Sequence, residues 1–267
     1  MVLVFDIGAT STRIARSQDG NTLSDIEVYG TVDDFEKELE LFSRYQNEFL
    51  KGAEIKGVAG GLAGSFNKDK GSLFRCKTKS FINAPFKEKL AEIFAAPVFL
   101  ENDAVVAGLG EAHFGASRGY HISAYLTIST GLGGAKIVDG RPAERTWGFE
   151  PGKQRVVIGD QLVRLEDYIS GSAIIKEFGA RASDIHDKAV WAEIEKRIAL
   201  AINNTAVMWS PEIVVLGGGA VLDTDLDLAK VTAELEKILL TFPALPVLKK
   251  AELGDSAGLY GALKLLG

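Results

Sequence analysis

The chain has 267 residues, 46% hydrophobic and 25% charged, a globular profile with enough length for one domain or two smaller lobes around an ordinary core. Thirty basic side chains against 36 acidic ones give a net charge of −6, which argues against a nucleic-acid or anionic-membrane surface, since both need clustered Lys and Arg. The single cysteine, Cys76, excludes an internal disulfide and any zinc site of four cysteines or of two cysteines and two histidines.

In chain order, Val2 to Phe5 is a short β-rich run stopped by Asp6-Ile7-Gly8-Ala9-Thr10. It is too short for a signal peptide or a membrane span, so the sequence reads as cytoplasmic. Thr12 to Arg16 is a second strand, making a hairpin with a glycine in its turn, and Ile26 to Tyr29 is a third. Thr31 precedes a helix carrying Phe35, Leu39, Phe42 and Phe49 on one face, with Asp34 placed to complete a capping box. Small residues crowd Gly57 to Gly64. Phe86 to Phe94 reads as a helix, Val98 to Leu100 as a strand, and Asp103 to His113 as a helix again. Ala124 to Ile128 and Ala135 to Val138 are strands flanking Ser129-Thr130-Gly131-Leu132-Gly133-Gly134, which repeats the opening pattern and suggests two similar lobes. Helices are expected over Leu165 to Phe178, around Trp191 to Ile202, over Leu226 to Leu240 and from near Ser256; Ile213 to Leu216 is a buried-type strand ending in Gly217-Gly218-Gly219. Strands and helices alternate throughout, so the fold class is α/β.

Four places carry chemistry. At Asp6–Thr10 a glycine lets the backbone approach a phosphate, turn N–H groups can nest an anion, and Asp6 can hold a hydrated magnesium; a plain hairpin turn accounts for the same residues. Ser129–Gly134 offers a like-shaped turn, and a flexible hairpin is its simpler reading. Neither is a P-loop, because the chain has no GxxxxGK[ST]. Asn102 and Asp103 stand at a strand's carboxyl end, where α/β proteins bind ligands. Asp103 can take a proton from a hydroxyl and Asn102 can hydrogen-bond its neighbours, yet helix capping by either residue explains them equally well. Gly217 and Gly218 would let a flat base or ribose lie close, or simply form a turn before a helix.

Taken in order, strand-DxGxT, strand-END-helix, strand-STGxGG-strand and strand-GGG resemble the ROK family (repressors, open reading frames and sugar kinases) of the sugar kinase, heat-shock ATPase and actin superfamily. Gly61-Leu62-Ala63-Gly64, Phe99 to Ala104 with Glu111 and Phe114-Gly115, Ser170-Gly171 and the ending Leu253 to Ala262 extend the likeness over almost the whole chain. The resemblance implies two ribonuclease-H-like lobes, residues 1–112 with the C-terminal helix 256–267 and residues 113–255, with ATP in the cleft. It also implies a sugar kinase using ATP and magnesium. On matching positions, Asp6, Gly8 and Thr10 would line one phosphate loop, Thr130, Gly131 and Gly133 a second, and Gly217 and Gly218 would lie against adenosine. Asn102 and Asp103 would contact the sugar, Asp103 as base for the accepting hydroxyl, usually that on carbon 6.

The family holds the other sugar hydroxyls with Glu and His of an ExGH motif and Glu of LExxxSG. This chain reads Glu150-Pro151-Gly152-Lys153 and Leu165-Glu166-Asp167-Tyr168-Ile169-Ser170-Gly171, so both glutamates stay and the histidine has become Lys153. In zinc-bearing members that histidine is a ligand beside a CxCGxxGC loop. Here only Gln154 to Arg164 stand between Lys153 and Leu165, with no cysteine among them, so no zinc is expected. Lys153 either donates to a sugar hydroxyl, favouring an anionic sugar, or pairs with Glu150 or Glu166 as a prop. The family's repressors carry a helix-turn-helix before the first loop, and Asp6 leaves it no room. A non-catalytic binder of nucleotide or sugar is the alternative to the kinase. The resemblance points to a homodimer and to no nucleic-acid or membrane partner.

Overall fold

The computed structural model describes all 267 residues. β1 (Val2–Ile7) is buried on both faces: Leu3, Phe5 and Ile7 enter one core, and Val4 enters another. It turns at Gly8 into antiparallel β2 (Ser11–Ser17), which pairs with β3 (Ser24–Gly30). On its other side lies parallel β4 (Gly57–Leu62); the chain then forms the hairpin β5 (Gly64–Phe66) and β6 (Leu73–Cys76) before β7 (Val98–Asn102) pairs parallel to β4. The sheet order is β3-β2-β1-β4-β7. Helices α1 (Phe35–Tyr45) and α2 (Phe86–Phe94) cover one face, where the Phe42 ring meets Phe5 and Phe94 edge-on. The C-terminal helix (Ala257–Leu263) covers the other through Leu259, Ala262 and Leu263.

After β7 comes α3 (Asp103–Phe114), then β8 (Ile122–Ile128), β9 (Leu132–Val138) and the short β10 (Arg141–Pro142). A second hairpin, β11 (Arg155–Ile158) and β12 (Gln161–Arg164), fills most of the stretch after Lys153. Further on are α4 (Glu166–Ile169), α5 (Gly171–Phe178), α6 (Lys188–Trp209), β13 (Ile213–Gly217), α7 (Leu228–Ile238) and β14 (Val247–Lys250). The second sheet has the order β10-β9-β8-β13-β14. Its pairings repeat the first: two antiparallel steps on one side of β8 and two parallel steps on the other. That duplication is what two ribonuclease-H-like lobes require. The chain is α/β with two mixed five-stranded sheets.

By contacts the chain forms two compact units. Unit 1 is Met1–Gly110, Glu144–Gly148 and Asp255–Gly267, and unit 2 is Glu111–Ala143 and Phe149–Gly254. The stretch Glu144–Gly148 thus belongs to unit 1, although the residues on either side of it belong to unit 2. No helix is long and apolar enough to cross a membrane.

Two local expectations are corrected. Asp34 is itself the N-cap of α1, accepting from the Lys37 N–H, while the Thr31 hydroxyl donates to the Gly8 carbonyl at 2.9 Å. The expected helix Leu165 to Phe178 breaks at Ser170, whose extended backbone lets its hydroxyl cap α5 by accepting from the Ala173 N–H.

Candidate active site

In unit 1 the strand register places Asp6 opposite Arg13 on β2 and Gly61 on β4, and Gly61 opposite Glu101 on β7. Asp6 is half-buried as a residue, but its Oδ1 is wholly enclosed and accepts no hydrogen bond. Glycines keep the space around it: a Cβ on Gly258 would come 2.4 Å from Asp6 Oδ2, and one on Gly61 would come 3.2 Å from Oδ1. Burial, then the charge of Asp103, push the Asp6 carboxyl up to about 7; Arg13 opposes this and Asp255 adds to it. Arg13 in turn pairs with Asp255 at 2.6 Å.

The turn after β1 is pinned by its own backbone and by Thr31. Gly8 N–H donates to Ser11 O at 2.9 Å, and Thr31 N–H donates to Thr10 O at 3.2 Å. Ala9 and Thr10 remain exposed. Thr31 also meets Thr12, whose hydroxyl donates to the fully buried Glu38. Burial raises the Glu38 carboxyl, against the Thr12 hydroxyl and the Val32 N–H.

At the end of β7 the capping question resolves. Asn102 Oδ1 accepts the N–H groups of Ala104 and Val105 at 3.0 and 3.3 Å, and its Nδ2 donates to Gly64 O at 3.0 Å. Asn102 is therefore the cap of α3, and Asp103 is a first-turn residue of that helix rather than its cap. The neighbouring Glu101 is buried and accepts from Lys70 at 2.5 Å, Arg145 at 2.7 Å and its own neighbour's N–H at 2.9 Å. Burial alone would raise that carboxyl; Arg145 and Lys70 outweigh it and hold Glu101 below the usual carboxylate range.

In unit 2 the turn between β8 and β9 is closed by Ser129 N–H donating to Gly131 O at 2.9 Å, and anchored by Gly171 N–H donating to Ser129 O at 2.7 Å. Thr130 is half-buried there, and Gly133 stands in β9 opposite Thr127. Glu166 lies against this turn, its Oε2 3.4 Å from where a Gly131 Cβ would sit. Lys153 Nζ is 2.5 Å from the same Oε2, and Arg164 is 3.0 Å from Oε1. Of the partners the sequence allowed, Lys153 has taken Glu166. Glu150, just before the turn Pro151–Lys153, is exposed.

The glycines after β13 have internal causes. A Cβ on Gly217 would strike the Tyr125 hydroxyl at 2.4 Å, and Gly218 has φ +89° with its notional Cβ 2.4 Å from Ile128 O. Gly219 faces open space, with nothing within 4 Å.

The structure thus groups Asp6, Gly8, Thr10, Asn102 and Asp103 in unit 1, and Thr130, Gly131, Gly133, Glu150, Lys153, Glu166, Gly217 and Gly218 in unit 2. Sequence reasoning missed the bond of Thr31 to Gly8 and the two cations on Glu101, whose partners are distant in sequence, and it missed Arg164, which pairs with the nearby Glu166 and Asp167 but belongs to no motif itself. The enclosed, unpartnered Oδ1 of Asp6 suits a cation. No cluster of three or more His, Cys, Asp or Glu side chains is placed to hold a metal. A magnesium here would be held through its own waters and take its direct ligands from water and phosphate oxygens, which is its usual habit.

Comparison with known proteins follows the same lines. The ROK family profile matches residues 2–152 and 156–267. The chain is 30% identical over 289 positions to an uncharacterised protein of Clostridium perfringens, covering 97% of this chain and 95% of that one. It is 26% identical over 256 positions to the glucokinase of Streptomyces coelicolor, covering 80% of this chain and 81% of the relative. Among solved structures, the ROK family glucokinase of Streptomyces griseus, in complex with glucose and AMPPNP, superposes with a TM-score of 0.84 at 22% identity, over 99% of this chain and 98% of the other.

Proposed function

The chain belongs to the ROK family, and from that premise we propose that it is a cytoplasmic sugar kinase transferring the γ-phosphoryl group of ATP to a hydroxyl of a hexose or hexose derivative, by family resemblance the one on carbon 6. The observation that carries this reading is the pair of carboxylates on either side of β4, Asp6 in β1 and Asp103 at the start of α3: a Cβ on Gly61 would lie 3.2 Å from both Asp6 Oδ1 and the Asp103 Cα, and α3 is capped by Asn102 so that capping does not account for Asp103.

Asp103 acts as general base. It accepts the proton of the acceptor hydroxyl, whose oxygen forms the new bond to the γ-phosphorus as the bond to the β–γ bridging oxygen breaks and ADP leaves. Positioning and charge neutralisation supply the rest. Gly8 leaves room for a phosphate to approach and Thr10 offers its hydroxyl to the phosphate oxygens, as Thr130 does, with Gly131 and Gly133 shaping the second loop, while Gly217 and Gly218 lie along the adenosine. Asp6 would hold magnesium through water, and that ion, when bound, would neutralise phosphate charge. Asn102 keeps one Nδ2 hydrogen beyond the bond to Gly64 O and can give it to a sugar hydroxyl. Glu150, Lys153 and Glu166 hold the remaining hydroxyls, with Lys153 oriented by its pair with Glu166. The working form is a homodimer, which light scattering would check.

The test is an ATP-coupled screen across hexoses, N-acetylhexosamines and sugar acids, with the product's phosphate located by NMR. ADP release that depends on one sugar class supports the reading. A protein that binds ATP and sugar but releases no sugar-dependent ADP overturns it in favour of a non-catalytic binder.

A further inference from the structure

Glu144–Gly148 is the stretch from the middle of the chain that joins unit 1, and the phosphoryl-transfer reading gives it no task. One of its side chains, Arg145, closes on Glu101 Oε2 at 2.7 Å, together with Lys70 at 2.5 Å; the Glu101 side chain is 5% exposed. Lys70 lies between β5 and β6, and the first residue of β5, Gly64, receives the Asn102 amide at 3.0 Å. Hairpin and segment are therefore both tied to the end of β7, where Asn102 and Asp103 stand. On these same two pieces Trp147 and Phe74 meet edge to face, centroids 5.7 Å apart at 79°, and Lys68 Nζ lies 5.4 Å from the Trp147 ring centroid. Nevertheless Trp147 is 58% and Phe74 43% exposed. The Glu101 clamp already fastens the segment, and an aromatic latch would bury its rings. These rings instead present open surface.

We propose that Trp147, Phe74 and Lys68 form a second sugar subsite, which takes the far ring of a disaccharide or glycoside whose near ring is phosphorylated. The proposal rests on the kinase reading above. A pyranose offers an apolar C–H face that covers an indole and a rim of hydroxyls that accept from an ammonium; an exposed aromatic platform with one cation beside it matches both. Two residues of chain span at most about 7 Å, so Trp147 stays close to Arg145 and, through it, to the groups that receive the near ring. Lys70 and Arg145 are engaged by Glu101, which fits a neutral second ring rather than an anionic one.

The experiment measures kcat/KM at saturating ATP for a panel of hexoses and for disaccharides and phenyl glycosides of the same hexoses, on wild type, Trp147→Ala and Trp147→Phe. The wild type should prefer the two-ring acceptor. The ratio of two-ring to one-ring kcat/KM should fall at least about tenfold in Trp147→Ala and recover in part in Trp147→Phe. A ratio that is the same in all three proteins, or a wild type that turns over hexoses alone, overturns the subsite. Should no sugar release ADP, the kinase reading fails first, and calorimetric titration with the same two-ring sugars decides the subsite separately. Binding weakened by Trp147→Ala supports it; binding unchanged by the substitution, or absent in the wild type, overturns it.

Discussion

Replacing Asp6 by Asn should change how stability depends on pH, in a direction set by the raised carboxyl. A carboxyl whose folded value is raised from 3.8 to about 7 binds a proton in the folded protein that the unfolded chain has already lost. The folded state then holds more protons than the unfolded one across that window, so stability falls as pH rises through it. Each unit of pH inside the window costs about 1.4 kcal/mol. Between pH 5 and pH 8 the wild type should therefore lose at most about 2–3 kcal/mol that Asp6→Asn retains. Glu38 and Glu195, also raised by burial, are present in both proteins and cancel in the difference. The difference reports the Asp6 carboxyl, raised first by burial and second by the charge of Asp103. Denaturant unfolding of both proteins at pH 5, 6, 7 and 8 in EDTA measures it. Parallel pH profiles, or a wild type that gains on the variant as pH rises, would show that Asp6 is not held near neutrality. If Asp6 also carries magnesium, the variant loses activity while gaining stability at pH 8, and added Mg²⁺ with ATP stabilises the wild type only.

Asp103→Asn should lower turnover at saturating ATP and sugar by about 10²–10⁴-fold, roughly 3–5 kcal/mol of barrier. Because Asn102 caps α3, stability should move by less than about 1 kcal/mol; turnover within a few-fold of wild type would remove Asp103 from the chemistry. Lys153→Ala should raise the KM for the true sugar about tenfold, the worth of one charged hydrogen bond of roughly 1.5 kcal/mol, with a smaller effect on kcat. An equal loss of kcat at saturating sugar would assign Lys153 to the transition state instead. Gly261→Ala should destabilise by about 1–3 kcal/mol or more, because the new methyl would lie 1.6 Å from Val106 O and neither helix backbone can yield. An unchanged melting temperature would mean that the C-terminal helix does not pack this closely.

What the sequence makes legible is where local chemistry and periodicity agree. The helix from Asp103 starts where side-chain pattern changes abruptly, and the structure puts it there, whereas β1 runs through Asp6 to Ile7 and β7 through Glu101 to Asn102, past the polar residues at which the apolar runs stop. In the sequence β4 shows only as a crowd of small residues. It is fully buried, so it shows no alternation, and its glycines answer to neighbours the sequence cannot display: a Cβ on Gly60 would fall 2.4 Å from the Phe5 ring. The hairpins β5–β6 and β11–β12 are short and mostly polar or exposed, and Ser170 looks like any helical serine until its backbone turns out extended.

The ambiguity at Asn102-Asp103 has a different origin. Either residue type can cap a helix, so composition alone could not divide the labour between them. The register of β7 on β4 does so: with Leu62 opposite Asn102, the chain beyond β4 brings the Gly64 carbonyl to the Asn102 amide, which leaves its oxygen for the first N–H groups of α3. Asp103, one residue further, is the charge that Asp6 meets. A one-residue slip of β7 would exchange the faces of both. Which carboxylate stands beside Asp6 is thus decided by sheet register and not by the END motif itself.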